Sequence, residues 1–200
     1  MTIKDFGARV ESVWQDLRPV TKKMLVGAMQ TNAAKPNQKF SYDAHADWEL
    51  SRLLSALDEQ ANSTDVKKDA EKLRELRQFS NACAGVLEAQ TASAEVFIQL
   101  ATRAIARNDY NKLDALADAL LTRFSAGEIA EIIRQTDMAQ IRAIAYETLS
   151  LLPVSAILTI LDDSIYTEIA VNALEQQAFE YDSEEARELL EQLNLEEIGD

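Results

Sequence analysis

The single histidine, His45, stands in the run Asp43-Ala44-His45-Ala46-Asp47, where two carboxylates flank an imidazole and suggest a metal site. That spacing spreads the three side chains around a helix instead of along one face, and no second His or Cys is available to complete a zinc site. Capping of a helix N-terminus by Asp43 or Asp47 is the better use of these residues, because a carboxylate there accepts from unpaired backbone N–H groups. The chain contains no E-x-x-H pair, which removes the usual carboxylate di-iron bundle.

Nucleophilic chemistry fares no better. A Cys-His pair would need Cys83, the one cysteine, and that residue falls on the apolar stripe of a helix, where a thiol is buried and inert. The Gly-rich phosphate loops and the G-x-S-x-G elbow are absent. With 34 acidic residues a carboxylate pair can be picked anywhere, so a proposed dyad would carry no information. The sequence therefore predicts no catalytic residue, no metal and no cofactor, and a protein that is not an enzyme.

Binding chemistry is better represented. Between Thr31 and Trp48, Lys35, Lys39, Phe40, Tyr42 and Trp48 mix cations with aromatics, the composition of a docking loop with a basic rim; the alternative is that the aromatics fasten the loop to the first helices. The net charge of -14 is concentrated elsewhere: residues 101–200 hold 7 basic and 20 acidic side chains, and from Asp162 onward thirteen carboxylates face the single Arg187. Such a surface repels phosphate backbones and anionic headgroups and attracts basic protein surfaces. Asp162, Asp163, Glu168, Glu175, Glu184, Glu185 and Glu188 are the expected partner-binding residues.

The elements that must carry these residues are helices. Gly (5) and Pro (3) are scarce and 47% of residues are apolar, so a 200-residue chain can bury a core built of helices joined by short turns. Charges throughout the first thirty residues leave no apolar core for a signal peptide, and the apolar stretch from Leu149 to Leu161 is too short and too interrupted to span a bilayer. One cysteine allows no internal disulfide, so the expected compartment is the cytoplasm.

Ile3, Phe6, Val10, Val13, Trp14 and Leu17 have helical spacing, ended by Pro19, and a second, less amphipathic helix follows through Met29. After the Thr31–Asp43 connection comes a helix from about Ala44 to Gln60, with Trp48, Leu50, Leu53, Leu54 and Leu57 apolar. Ser63 or Thr64 is the expected cap of a long helix with the stripe Val66, Ala70, Leu73, Leu76, Phe79, Cys83 and Val86.

In the second half the pattern recurs at an offset of 28. Ala104, Ile132 and Ile160 correspond; so do Ile105, Ile133 and Leu161; Leu113, Ile141 and Ile169; Ala115, Ala143 and Val171; and Ala117, Ala145 and Ala173. Polar breaks at Asn108-Asp109, Thr136-Asp137 and Asp163-Ser164 divide each copy into two helices. Ser125 with Glu128, Asp137 with Gln140 and Asp182 with Glu185 have capping-box spacing, and Pro153 separates two helices. Over roughly residues 93–180 the chain resembles short HEAT-like repeats. The Asp and Arg common in such repeats occur together only in the middle copy, as Asp137 and Arg142.

The reading is thus all-α: an N-terminal helical bundle over residues 1–90, then a HEAT-like antiparallel helix-pair solenoid over 91–200, closed by an acidic capping helix. Its expected role is an adaptor or scaffold whose acidic half docks a basic partner. The alternative is an acidic inhibitor or nucleic-acid mimic that blocks a DNA- or RNA-binding enzyme.

Overall fold

The structure, a computed structural model, describes residues 3–30 and 42–198; of the docking loop, Lys35, Lys39 and Phe40 lie outside the described residues. It is all-helical, with no strand among the described residues. The chain divides into two compact units, residues 1–91 and 92–200.

The first unit opens with a 3-10 turn, Ile3–Phe6, followed by α1 (Ala8–Asp16). The single helix expected from Ile3 to Leu17 is broken at Gly7, whose φ of 118° is accessible at low cost only to glycine, and the Gln60 side chain lies 3.1 Å from where a Cβ would stand. α2 (Pro19–Gln30) starts on its proline, which needs no N–H in the first turn. α3 (Ala44–Asn62) is capped by Asp43, whose Oδ1 accepts from the Ala46 N–H at 2.8 Å.

The long helix starts later than its sequence suggests. Ser63 caps only a single turn, α4 (Thr64–Lys67), and Asp69 then caps α5 (Ala70–Gln90) by accepting from the Lys72 N–H at 3.0 Å. Ala70 is exposed and Leu73 half-buried, whereas Leu76, Phe79, Cys83, Val86 and Leu87 are buried. α3 and α5 form the centre of this unit, with Leu50, Leu53, Leu54 and Leu57 fully buried, and the Cys83 thiol donates to the Leu50 carbonyl at 3.4 Å. Phe6 and Trp14 close the edge, both with ring centroids within 6.0 Å of Phe79.

The second unit contains α6 (Ala94–Ala106), α7 (Tyr110–Arg123), α8 (Ala126–Gln135), α9 (Ala139–Ser150), α10 (Val154–Leu161), α11 (Thr167–Phe179) and α12 (Glu184–Ile198). α6 packs on α8 and α8 on α10; α7 packs on α9 and α9 on α11; each even-numbered helix from α6 to α10 also packs on its successor. α12 lies on α11, with Ala186 buried and Leu189, Leu190 and Leu193 half-buried.

Positions 28 residues apart have related environments. Ala104, Ile132 and Ile160 are all buried, as are Leu113, Ile141 and Ile169; Ala145 and Ala173 are fully buried and Ala117 half-buried. Ile133 is buried between the half-buried Ile105 and Leu161. Ala115 and Ala143 instead face solvent: alanine is a good helix former on an exposed face, so its recurrence there reflects propensity, not packing. A further triplet at the same offset, Ala101, Ile129 and Ile157, is completely buried, its small first member masking the apolar pattern in the sequence.

The turns follow the capping chemistry in part. Asn108 adopts left-handed backbone (φ 55°) and Asp109 caps α7, accepting from the Lys112 N–H at 3.1 Å. Ser125 caps α8 by accepting from the Glu128 N–H at 3.2 Å, but the Glu128 carboxylate does not return to Ser125; it accepts from the Ala94 N–H at 2.6 Å and so caps α6. Asp137 caps nothing: Thr136 turns the chain, its hydroxyl accepting from the Met138 N–H at 3.2 Å while its carbonyl accepts from Arg142. At the start of α12 the capping oxygen is Ser183 Oγ, which accepts from the Ala186 N–H at 3.3 Å, while Asp182 takes left-handed backbone at φ 53°.

Candidate functional site

In the first unit the structure assembles a polar cluster that the sequence did not announce. Glu49 lies one residue before Leu50 on the inner side of α3 and is 2% exposed. Its Oε1 accepts from the Arg18 N–H at 2.6 Å, and its Oε2 accepts from Arg18 Nε at 3.0 Å and from Thr21 Oγ1 at 2.5 Å. The outer fork of the same guanidinium meets both oxygens of Asp43, at 3.0 and 2.7 Å. Arg18 thereby pins the α1–α2 turn to the start of α3.

Burial alone would raise the Glu49 carboxyl, but hydrogen bonds from Thr21 and Arg18 outweigh it and hold the group below its ordinary value. The Arg18 guanidinium and the Ala46 N–H hold Asp43 well below the usual carboxylate range. Carboxylates so fixed in the ionised state cannot supply a proton near neutral pH, and every contact of the cluster serves to position backbone. The overlooked signal was a glutamate among the inner positions Ala46, Leu50, Leu53 and Leu57, which requires a buried partner.

His45 lies beside this cluster, its Nε2 3.7 Å from Glu49 Oε1, and its ring packs against Trp48 with centroids 5.5 Å apart. Among the described residues no group of three His, Cys, Asp or Glu side chains is placed to hold a metal ion. Trp48, expected on the apolar face of its helix, is 53% exposed because Glu49 and Leu50 take the inner positions; the Arg52 guanidinium sits 4.6 Å from the Trp48 ring centroid. Tyr42 donates to Asp47 Oδ1 at 2.5 Å. Of the docking-loop residues, then, Trp48 and Tyr42 are held on or beside α3.

The seven acidic residues expected to bind a partner are all exposed, and among the described residues none of them is in an ion pair. They do not form one patch. Asp162 ends α10, Asp163 shapes the next turn by accepting from the Ile165 N–H at 3.0 Å, and Glu168 lies in the first turn of α11. Glu184 and Glu185 open α12 beyond the far end of α11, at a distance of about 20 Å along a helix of this length. Glu175 and Glu188 lie between these ends, on α11 and α12.

Glu185 of the second group lines a cleft together with exposed apolar side chains; in the first group Ile165, 60% exposed, stands between Asp163 and Glu168. Where the α9–α10 turn meets the end of α11, a cleft of about 300 Å³ is lined by Leu151, Leu152, Pro153, Gln177, Tyr181 and Glu185, among others. Leu151 and Tyr181 are exposed, and Phe179, two residues before Tyr181, is 74% exposed. Tyr181 donates to Glu147 at 2.7 Å, a bond to a carboxylate that raises its hydroxyl pKa. Arg187, the one cation after Asp162, donates to the Ala178 carbonyl at 2.9 Å and lies 3.7 Å from Asp182.

A second carboxylate is tied down in the body of this unit. Glu131 of α8 accepts from Arg134 and, at 2.8 Å, from the Tyr166 hydroxyl at the start of α11. Arg134, the first cause, and then Tyr166 and Gln135 overcome burial and lower the Glu131 carboxyl to about 2.

Among the described residues no single helix is long and apolar enough to cross a membrane; α9 and α10 approach that composition only together, and they are bent by 114° at Leu151–Pro153. Comparison with known families, with curated proteins and with solved structures finds no match.

Proposed function

We propose that this protein is a non-enzymatic adaptor in which residues 92–200 form a short HEAT-like solenoid and its C-terminal end docks a basic protein partner. The solenoid reading is supported by the two rows of helices, α6-α8-α10 and α7-α9-α11, and by the buried positions that recur every 28 residues. One helix pair cannot bury its own apolar face, so stacking supplies the core and leaves an end surface to be capped or used.

The observation that carries the docking reading is the company kept by Glu184 and Glu185. Both are exposed, and Glu185 lines a cleft with the exposed Leu151 and Tyr181, with Phe179 close by in sequence; charge next to desolvatable apolar surface is the composition of an interface. The charge speeds and orients encounter while the apolar residues contribute most of the affinity. Asp162, Asp163 and Glu168, at the other end of α11, extend the field around the exposed Ile165.

The test is affinity capture with the full chain and with a Glu184→Lys/Glu185→Lys variant. Basic partners that are lost in the variant and released by raised salt are expected. A captured set that is acidic, or that binds both forms equally, would overturn the reading. Displacement of DNA or RNA from the captured partner would favour a nucleic-acid mimic instead.

A further inference from the structure

Resting on the solenoid and the basic partner proposed above, we infer that the outward face of α10 docks one amphipathic helix of that partner. This helix carries lysine or arginine beside its apolar stripe and sits where the row α6-α8-α10 would place its next member.

Positions 28 residues apart show what this face does elsewhere in the row. On α8, Gly127, Ala130 and Glu131 are covered by the copy that follows. The Ile160 side chain lies 3.8 Å from where a Cβ on Gly127 would stand, Ala130 is fully buried, and Glu131 accepts from the Tyr166 hydroxyl at 2.8 Å. On α6, Thr102, equivalent to Ala130, is also reached from the next copy and donates to the Met138 sulfur at 3.4 Å. The same positions on α10 are Ser155, Leu158 and Thr159, and all three are exposed, Leu158 at 40%. They share one side of the helix, and Asp162 continues that side by a further turn.

Among the described residues the row ends at α10. The next member is due at about residues 182–189, where α12 begins, but α12 packs on α11. A terminal solenoid face that stays in water needs a polar surface. Here Leu158 stands at the middle of the face, with Leu151, 51% exposed, in the turn before α10 and Ile165, 60% exposed, in the turn after it.

Charge decides between a second copy of this chain and a foreign helix. From Ala143 to Ala186 the sequence holds nine carboxylates and no lysine or arginine. Two such faces brought together would gather like charges with no cation between them, which opposes self-pairing. Asp162 and Glu168 are exposed and in no ion pair among the described residues. Asp162 also stands at the C-terminus of α10, where the helix dipole disfavours negative charge and a cation is welcome. A helix that lays apolar side chains over Leu158 and turns lysine or arginine towards Asp162 and Glu168 answers both demands.

The experiment follows backbone amide NMR signals of the full chain during titration with three blocked peptides. One is an amphipathic helix of leucine and lysine, the second has glutamate in place of lysine, and the third is the leucine-lysine peptide in shuffled order. Saturable shifts are expected at Ser155, Leu158, Thr159 and Ile165 with the first peptide alone, and they should weaken as salt is raised. Leu158→Ser should reduce the affinity about tenfold, the loss of one leucine contact at the centre of an interface. Thr159→Lys, on the same exposed face, should reduce it as well, with thermal unfolding unchanged in both variants. If the shifts fall on Glu185 and Tyr181 and Leu158→Ser binds as tightly as the parent chain, the α10 face is overturned while the acidic docking surface stands. Equal binding of the glutamate or the shuffled peptide overturns the basic amphipathic helix. A dimer in sedimentation that Leu158→Ser dissociates assigns the face to a second copy and overturns it too. If no peptide shifts any signal in residues 92–200, the docking reading falls and this face with it.

Discussion

Glu49 and Glu185 are both glutamates on amphipathic helices, and they meet the cost of a charge in opposite ways. Glu49 is taken out of water, and Arg18, Thr21 and a backbone N–H replace its hydration. Glu185 keeps its hydration and has no ion-pair partner among the described residues. The first arrangement can only hold elements together, because all its bonding capacity is spent within the chain. The second contributes little to the fold and remains available to another molecule. Acidic residues in this protein therefore differ in how much of their bonding capacity is spent within the chain, and total charge does not reveal which is which.

The comparison breaks most visibly if Arg18 is removed. Arg18→Ala leaves Glu49 buried with only Thr21 and the backbone as donors, and should cost about 3–5 kcal/mol in a chemical denaturation experiment, the range for a buried charge stripped of its partner. A loss under about 1 kcal/mol would mean that Glu49 reaches water after all, and the contrast with Glu185 would fail.

Acid titration sharpens the same division. Asp43, Glu49 and Glu131 have folded-state pKa values below their unfolded ones, so the stability they contribute is full above the unfolded value and is lost as pH falls. For Glu131 the window runs from 4.5 down to about 2. Thermal unfolding followed across that range should show a progressive drop in Tm, flattened by Glu131→Gln.

Capping carboxylates lie between the two extremes, since each is exposed yet spends one oxygen on the backbone. Asp109→Ala removes the acceptor of the Lys112 N–H and should cost about 1 kcal/mol. Asp137→Ala should cost nothing measurable by the same denaturation assay, because Thr136 and Arg142 make that turn without it.

Asp137 illustrates how far the sequence could be read. Helix type, the buried Leu50-Leu53-Leu54-Leu57 run and the capping of α3 by Asp43 follow from periodicity and side-chain chemistry local to a few residues, and all are found. Choices among adjacent candidates were not legible: Thr136 over Asp137, Ser183 over Asp182, and Asp69 over Ser63 for the long helix all depend on where the packed helices let the chain turn. Trp48 leaves its expected apolar face and Glu49 is buried, because partners distant in sequence, Arg18 and Thr21, replace the hydration of the charged residue. The acidic character of the C-terminal end was plain from composition. The cleft was not, since Gln177 is held in its lining by the carbonyls of Ser150 and Leu152, more than twenty residues earlier.

The smallest expected effect is the most informative about Glu184 and Glu185. Both lie in the first turn of α12, where the helix dipole and the unpaired N–H groups favour negative charge. Neutralising either with Gln should therefore cost about 0.3–1 kcal/mol if the helix is what these residues serve. If they serve a partner at the expense of crowding with Glu180, Asp182 and Glu188, the relief of like-charge repulsion offsets that loss and the change in stability falls within about 0.3 kcal/mol. Denaturation of the single variants at low and at high salt separates the two contributions, because both are screened but with opposite sign. Stability that falls on substitution at low salt and recovers at high salt assigns the pair to helix capping; near-zero change at both, together with loss of the captured partner, assigns it to recruitment.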